Sequence, residues 1–400
     1  MQNSLLNRRA MISGAIGMAA LGSADIARSR GQTSAATPAA GGIPPGTMPI
    51  KPFALSEMRL TRIIASTRPF RNAGPRLEAE SINDKTIVHS YGHGGCGWSL
   101  SWGAAEEAAA LALSSAPSSV AVIGAGAIGL TTATVLRRAG VATTIYAQEL
   151  PTESRSAGAT GTWSADSRIA KTANASPQLA DRIERLARRS YVAHQQYVGL
   201  SDNPAEFTPR YFIPTAADHR REQNSRDFLS ISDRLSGMTP GWTELAPGSH
   251  PFPGPTAPQY GLSLTFNLAE YVHRLVSDFL MMGGAIRRAE FHSPTQVASL
   301  PHPVIVNCTG YGARALWKDE SLIPIRGQIA QLTAQSDRLY GVIHDCVMAL
   351  SRRDTLIVQY AGPDERSGMG IDDESPDKAE FLQALARIRP MFDWQRPRGA

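Results

Sequence analysis

Four hundred residues with 42% apolar content can bury a large core, more naturally as two domains than one. A formal charge of +5 is modest for this length, and the basic residues are scattered without a dense stripe or aromatic interleaving, which argues against nucleic acid as a partner. Three cysteines, Cys96, Cys308 and Cys346, are too few for a disulfide framework and read as free, buried thiols.

The first feature along the chain is Asn7-Arg8-Arg9-Ala10-Met11-Ile12, followed by SGAIGMAALGSA. A twin arginine, a short apolar run and then small residues predict a twin-arginine export signal over 1–27, with transient contact to the export machinery and a periplasmic or extracellular product. The apolar run is too short to span a bilayer. Residues 28–57, rich in Ala, Gly, Pro and Thr, read as a flexible tether. Export of folded chains suits a protein that loads a cytoplasmic cofactor first.

Met58 to Glu80 reads as a strand and an extended segment, and Thr86 to Ser90 as a short strand. Tyr91 to Trp102, YGHGGCGWSLSW, is a glycine-dense loop, and an alanine-rich helix follows over Gly103 to Leu113. His89 and His93 sit on a strand end and that loop, with no further ligand at metal spacing, so a packed or hydrogen-bonded role is favoured. Val120 to Glu149 then runs VAVIGAGAIGL, TTATVLRRAG, VATTIYAQEL. This is a strand, a tight turn, a helix and a second strand. Gly124 turns the chain, Gly126 admits a pyrophosphate to the backbone, and Gly129 lets the helix pack on the sheet. The helix N-terminus offers free N–H groups to the same pyrophosphate. Gln148 and Glu149 stand where a ribose-contacting acid belongs, so the stretch predicts a dinucleotide site.

Beyond it lies a polar loop, SRSAGATGTWSAD, then helical periodicity over Pro177 to Leu200. The region from Asp202 to Pro258 is too rich in proline and turn residues to assign. Leu268 to Gly283 reads as an amphipathic helix, and PVIVNCTG as a buried strand entering a turn. Ile325 to Leu332 and Thr355 to Gln359 read as strands of a second sheet, Arg352 and Arg353 as a solvated turn, and Phe381 to Ile388 as a closing helix.

Taken together, these blocks resemble the D-amino-acid oxidase family of FAD enzymes. VAVIGAGAIGLTTA with IYAQEL resembles the family's N-terminal unit, and PVIVNCTGYGARAL followed by IRGQI resembles its middle. TRIIASTRPFRNAGPRLE with TIVHSYGHGGCGWSLSWGAAEEAA resembles its C-terminal end, yet here it comes first. The chain therefore reads as a circular permutant, cut before Arg62 and rejoined through the helix ending at Leu113. The resemblance implies an α/β fold. A Rossmann-like FAD-binding domain would occupy 58–175 and 260–320, and an α+β substrate domain on a mixed or antiparallel sheet 176–259 and 321–400.

The resemblance also assigns roles. Gly124, Gly126, Ile128 and Gly129, with Gln148, Glu149 and Ser156, would hold the dinucleotide; Thr309 and Gly310 would close over it. Gly94, Gly95, Gly97, Trp98 and Ser99 would line the flavin ring, and the Gly95 carbonyl would receive the substrate amine. Arg68 would grip the substrate carboxylate through both oxygens, whereas Arg71 is expected to be structural. Where the family places two tyrosines near the substrate, this chain has His344 and Met348. No metal is expected. The implied reaction transfers a hydride from the amine-bearing carbon of a D-amino acid to flavin, with dioxygen as the acceptor. Oxidation of glycine, sarcosine or another amine, and a non-catalytic exported flavoprotein, are the alternatives.

Overall fold

The computed structural model describes residues 50–238 and 241–395. The predicted export signal and residues 28–49 of the predicted tether lie outside them. Residues 50–57 do not behave as a tether: Phe53 and Leu55 are buried, with Phe53 stacked on Tyr340 at 4.2 Å between ring centroids. Two aromatic and aliphatic side chains in an otherwise small-residue stretch are enough to anchor it.

The chain opens with β1 (Leu60–Arg71), β2 (Arg76–Ile82) and β3 (Lys85–Tyr91), then α1 (Gly97–Leu113). The glycine fingerprint follows as β4 (Ser119–Ile123), α2 (Ala127–Arg138) and β5 (Ala142–Ala147). Next come α3 (Leu179–Gln195), β6 (Ala205–Ile213), α4 (Ala216–Asn224), β7 (Thr243–Glu244), β8 (Gln259–Phe266) and α5 (Leu268–Met281). The rest is β9 (Ala285–Arg288), α6 (Pro294–Ala298), β10 (Val304–Asn307), α7 (Ala313–Leu316), β11 (Leu322–Leu332), β12 (Gly341–His344), β13 (Val347–Ser351), β14 (Leu356–Tyr360) and α8 (Lys378–Ile388).

One sheet has the order β2-β3-β10-β4-β5-β9, parallel throughout except for β2 at its edge. Its central strands are unbroken apolar runs because helices cover both faces. The other sheet has the order β1-β11-β14-β13-β12-β6-β8-β7 and is antiparallel except where β6 meets β12. Here β1 pairs with β11 along most of its length, and β8 pairs with β6. Residues 60–71 and 260–266, placed by the sequence in the FAD-binding domain, thus belong to the second sheet. The chain crosses between the two sheets more often than the sequence reading allowed.

The helices follow their local signals. α5 buries Leu268, Tyr271, Val272, Leu275 and Phe279 on one stripe, and α8 starts where the Asp377 carboxylate accepts from the N–H groups of Ala379 and Glu380. α1 begins six residues earlier than its alanine run suggests, at Gly97. The Arg352–Arg353 pair is no solvated turn. Arg352 is 1% exposed; it pairs with Asp354 at 2.9 Å and donates to the carbonyls of Ala159 and Thr160. No helix among the described residues is long and apolar enough to cross a membrane.

Candidate active site

The C-terminal ends of β4 and β10 meet at the fingerprint turn. Gly124 has φ +104°, and a Cβ there would sit 2.5 Å from the Cys308 carbonyl. Any side chain would push the two strand ends apart. Gly126 is the N-cap of α2, and the Ser156 hydroxyl accepts from the Ala127 N–H at 3.0 Å. Gly129 serves packing, since a Cβ there would overlap the Gly124 carbonyl oxygen.

These elements open onto one cavity of about 1100 Å³, which runs from the fingerprint turn to the face of the second sheet. It is lined by Gly124, Gly126, Ile128, Gln148, Glu149 and Ser156 at one end, and by Gly94, Gly95, Gly97, Trp98 and Ser99 further along. Thr309 and Gly310 border it, and so do Arg68 and Met348. Two sequence-predicted site residues lie outside it. Gly129 is buried behind the turn, and His344 turns away, its Nδ1 against the Ile213 carbonyl at 3.0 Å. The hairpin register explains the second case. His344 pairs with Val347 and Ile343 with Met348, so Met348 and His344 project from opposite faces of the sheet.

A hydrogen-bonded chain holds the Thr309 turn. Asn307 Oδ1 accepts from the Thr309 N–H and hydroxyl, while its Nδ2 donates to His89 Nδ1 at 3.0 Å. His89 Nε2 then donates to Glu80 at 2.8 Å. Burial lowers the pKa of His89, in keeping with this neutral tautomer. Arg71 bonds Ser321 and the Gly74 carbonyl, a structural position.

Arg68 is different. Its guanidinium makes no hydrogen bond or ion pair with any described residue. It lies over Gly327 of β11, where a Cβ would collide with it. Burial first, and Arg168 next, push its pKa down to about 9. Around it stand groups the sequence reading missed. Arg168 Nη1 contacts Glu365 at 2.9 Å, and Arg221 bonds the same carboxylate as well as the carbonyls of Ala361 and Gly362. Gln359, paired with Met348 in register, accepts from the Thr160 hydroxyl at 2.7 Å. Glu374 accepts from the Thr67 N–H and from Arg155, which also lines the cavity. Apart from Gln359, at the end of the predicted strand Thr355–Gln359, these residues sit in the unassigned region or in loops, where no periodicity marks them.

The residues fit FAD. The cavity exceeds the volume of a drug-sized ligand, the backbone at Gly124 and Gly126 is bare of side chains, and two helix N-termini, those of α1 and α2, line it. Ser90 Oγ and Thr162 Oγ1 at its wall are buried without a partner among the described residues. No cluster of metal-ligating side chains occurs among the described residues.

Comparison with known proteins agrees. The family model for DAO-type FAD-dependent oxidoreductases matches residues 119–398. D-amino-acid oxidase of Dictyostelium discoideum is 31% identical over 122 residues, covering 30% of this chain and 35% of that protein. D-aspartate oxidase of Talaromyces thermophilus is 57% identical over 47 residues, covering 12% and 13%. The matches thus span about a third or less of these curated relatives. Glycine oxidase from Geobacillus kaustophilus superposes with a TM-score of 0.50 at 14% identity, over 70% of this chain and 79% of that one, a likeness of fold. With most of its length matched by the family model, the chain belongs to the DAO family of FAD-dependent oxidoreductases, and FAD is its cofactor.

Proposed function

We propose that this protein oxidises the amine-bearing carbon of a D-amino acid to an imine, which water converts to a 2-oxo acid and ammonia. Dioxygen takes up the two electrons and two protons and leaves as hydrogen peroxide. FAD, when bound, supplies the hydride acceptor. The observation that carries the reading is the uncommitted Arg68 guanidinium on the cavity wall. A guanidinium that faces the cavity with no ion pair or hydrogen bond to any described residue favours an anion, and a planar fork fits a carboxylate. Arg68 therefore binds the substrate carboxylate, and the Gly95 carbonyl receives the amine. Glu365 is already held by Arg168 and Arg221, so it is not free to act as a base. An amine that enters neutral needs none; positioning is the protein's contribution.

The names of the curated relatives support D-stereochemistry, over the short spans they match. One observation favours a second reading, oxidation of glycine, sarcosine or another amine. Met348 and Gln359, neither of which carries a phenol, line the substrate end, with Tyr311 and Tyr360 also bordering the cavity. A visible spectrum recorded anaerobically against a panel of D-amino acids, glycine and sarcosine decides between them. Bleaching by a D-amino acid supports the first reading, and bleaching by glycine or sarcosine alone the second.

From the order of the blocks that resemble the family, we propose that the fold is a circular permutant exported by the twin-arginine route. Support for permutation comes from the segment around Phe53, which lies against the one after α8. Phe53 and Phe392 are 4.9 Å apart between ring centroids, and Arg389 donates to the Leu55 carbonyl at 2.9 Å. Only residues 114–118 join α1 to β4. A chain reordered to begin at β4, with 395 linked to 53, should fold and take up FAD. Export rests on the Arg8-Arg9 segment, and replacing both arginines with lysine should leave the protein in the cytoplasm.

A further inference from the structure

Behind the glycine loop, α3 is fastened to α1 along a single ridge. Leu186, Ser190 and His194 are spaced four apart and face α1 in succession. A Cβ on Gly103 would overlap the backbone of Leu186, so the two helices touch there. The Ser190 hydroxyl accepts from the Gly103 N–H at 2.8 Å. One turn further along, His194 Nε2 lies 2.9 Å from the carbonyl of Trp98, in the first turn of α1.

The protons in this last contact are determined by its neighbours. The Trp98 carbonyl can only accept, so His194 Nε2 carries the hydrogen. The indole N–H of Trp102 can only donate, and it reaches the Tyr271 hydroxyl oxygen at 2.9 Å. Tyr271 then gives its own hydrogen to His194 Nδ1, 2.6 Å away. The relay runs from Trp102 through Tyr271 and His194 to the Trp98 carbonyl, every member satisfied and buried. Burial depresses the His194 pKa to about 3, so the ring is neutral throughout the physiological range. On its other side, the Trp98 indole donates to the Ser156 carbonyl at 2.8 Å, and the Ser156 hydroxyl caps Ala127 at the start of α2. One connected set of hydrogen bonds thus joins α3 and α5 to both helix N-termini that line the cavity.

We infer that His194 is a positioning residue for FAD, aligning the first turn of α1, and through Trp98 and Ser156 the start of α2, against the bound cofactor. The inference rests on the flavin reading above. Free N–H groups at a helix start act on a neighbouring ring through distance and orientation. A relay that fixes the first turn therefore sets both the affinity for the cofactor and its ease of reduction. Ser190 makes an α1–α3 hydrogen bond one turn deeper and does not reach the first turn, so it serves as the packing control.

Three variants separate positioning from packing: Tyr271→Phe, which removes one oxygen and leaves His194 without its directing donor; His194→Gln, which keeps a donor and an acceptor; and Ser190→Ala. For each, the FAD dissociation constant, the midpoint potential of the bound flavin and the melting temperature would be measured. Tyr271→Phe should weaken FAD binding roughly three- to tenfold, the loss of about one hydrogen bond, and move the midpoint potential. His194→Gln should fall between it and the wild type, and Ser190→Ala should lower the melting temperature alone. FAD affinity and potential at wild-type values in a folded Tyr271→Phe protein would overturn the inference, as would equal shifts in Ser190→Ala. A wild type that takes up no flavin would instead sink the reading on which it rests.

Discussion

The guanidinium of Arg68, on β1, occupies the space that a Cβ on its cross-strand neighbour Gly327, on β11, would fill. β1 and β11 are antiparallel neighbours, with Ser66 opposite Gly327 and Arg68 one pleat along. The long side chain folds back over the gap in its partner strand and turns its nitrogens toward the cavity. The missing side chain at 327 is as much a part of the proposed carboxylate site as the arginine itself.

Gly327→Ala should therefore displace Arg68 without touching the dinucleotide end. We expect KM for the amino-acid substrate to rise at least about tenfold, the cost of losing one charge-assisted hydrogen bond, while FAD affinity stays unchanged. Arg68→Ala should go further and cost ~3–5 kcal/mol in kcat/KM, the scale of leaving a buried carboxylate unpaired. Steady-state kinetics alongside an FAD titration checks both. A Gly327→Ala enzyme with normal KM would remove the proposed role of Gly327.

Two buried histidines contribute to the response to acid. His93 and His194 are pushed to about 4 and about 3, mainly by burial. Unfolded histidine titrates near 6.5, so between 6.5 and these folded values the unfolded state binds more protons and stability falls as pH falls. Above 6.5 the contribution is fully present. Each histidine should cost about 1.4 kcal/mol per pH unit inside that window. Melting temperatures measured from pH 7.5 to 4.5 should drop, and His194→Gln should flatten the decline.

Arg210, on β6, is 2% exposed and has no ion pair with any described residue. Its Nη2 donates to Thr265 at 2.8 Å, while Nε and Nη1 have no partner among the described residues. Burial alone lowers its pKa to about 9. Arg210→Met keeps the stem and removes the desolvated charge, and should stabilise the fold by about 1–3 kcal/mol. Chemical denaturation would show it, and a lower midpoint would mean that the guanidinium has a counter-ion elsewhere in the chain.

The linear chain was legible wherever structure is local. The fingerprint announces β4, α2 and β5 because a turn, a helix start and two apolar runs are encoded within thirty residues, and the amphipathic stripe of α5 is equally plain. The glycine loop and the Arg-Pro pair pointed to Gly94, Gly95, Trp98, Ser99 and Arg68, all of which line the cavity. Pairing between distant segments was not legible. That Arg68 rests on Gly327, that Glu374 reaches Thr67 and Arg155, and that His194 meets Trp98 follow from strand register and helix packing. Register also separated Met348 from His344, since residues of adjacent parity leave a strand on opposite faces. Arg352 looked like solvent-exposed charge and is buried, because its partners Ala159 and Thr160 come from a loop nearly two hundred residues earlier. By itself the sequence determined the dinucleotide-binding unit and its chemistry, which need only short-range backbone geometry. The tertiary structure decided which side chains share the substrate end of the cavity and which are left without a partner there, because burial and charge pairing depend on residues that meet only in the folded chain.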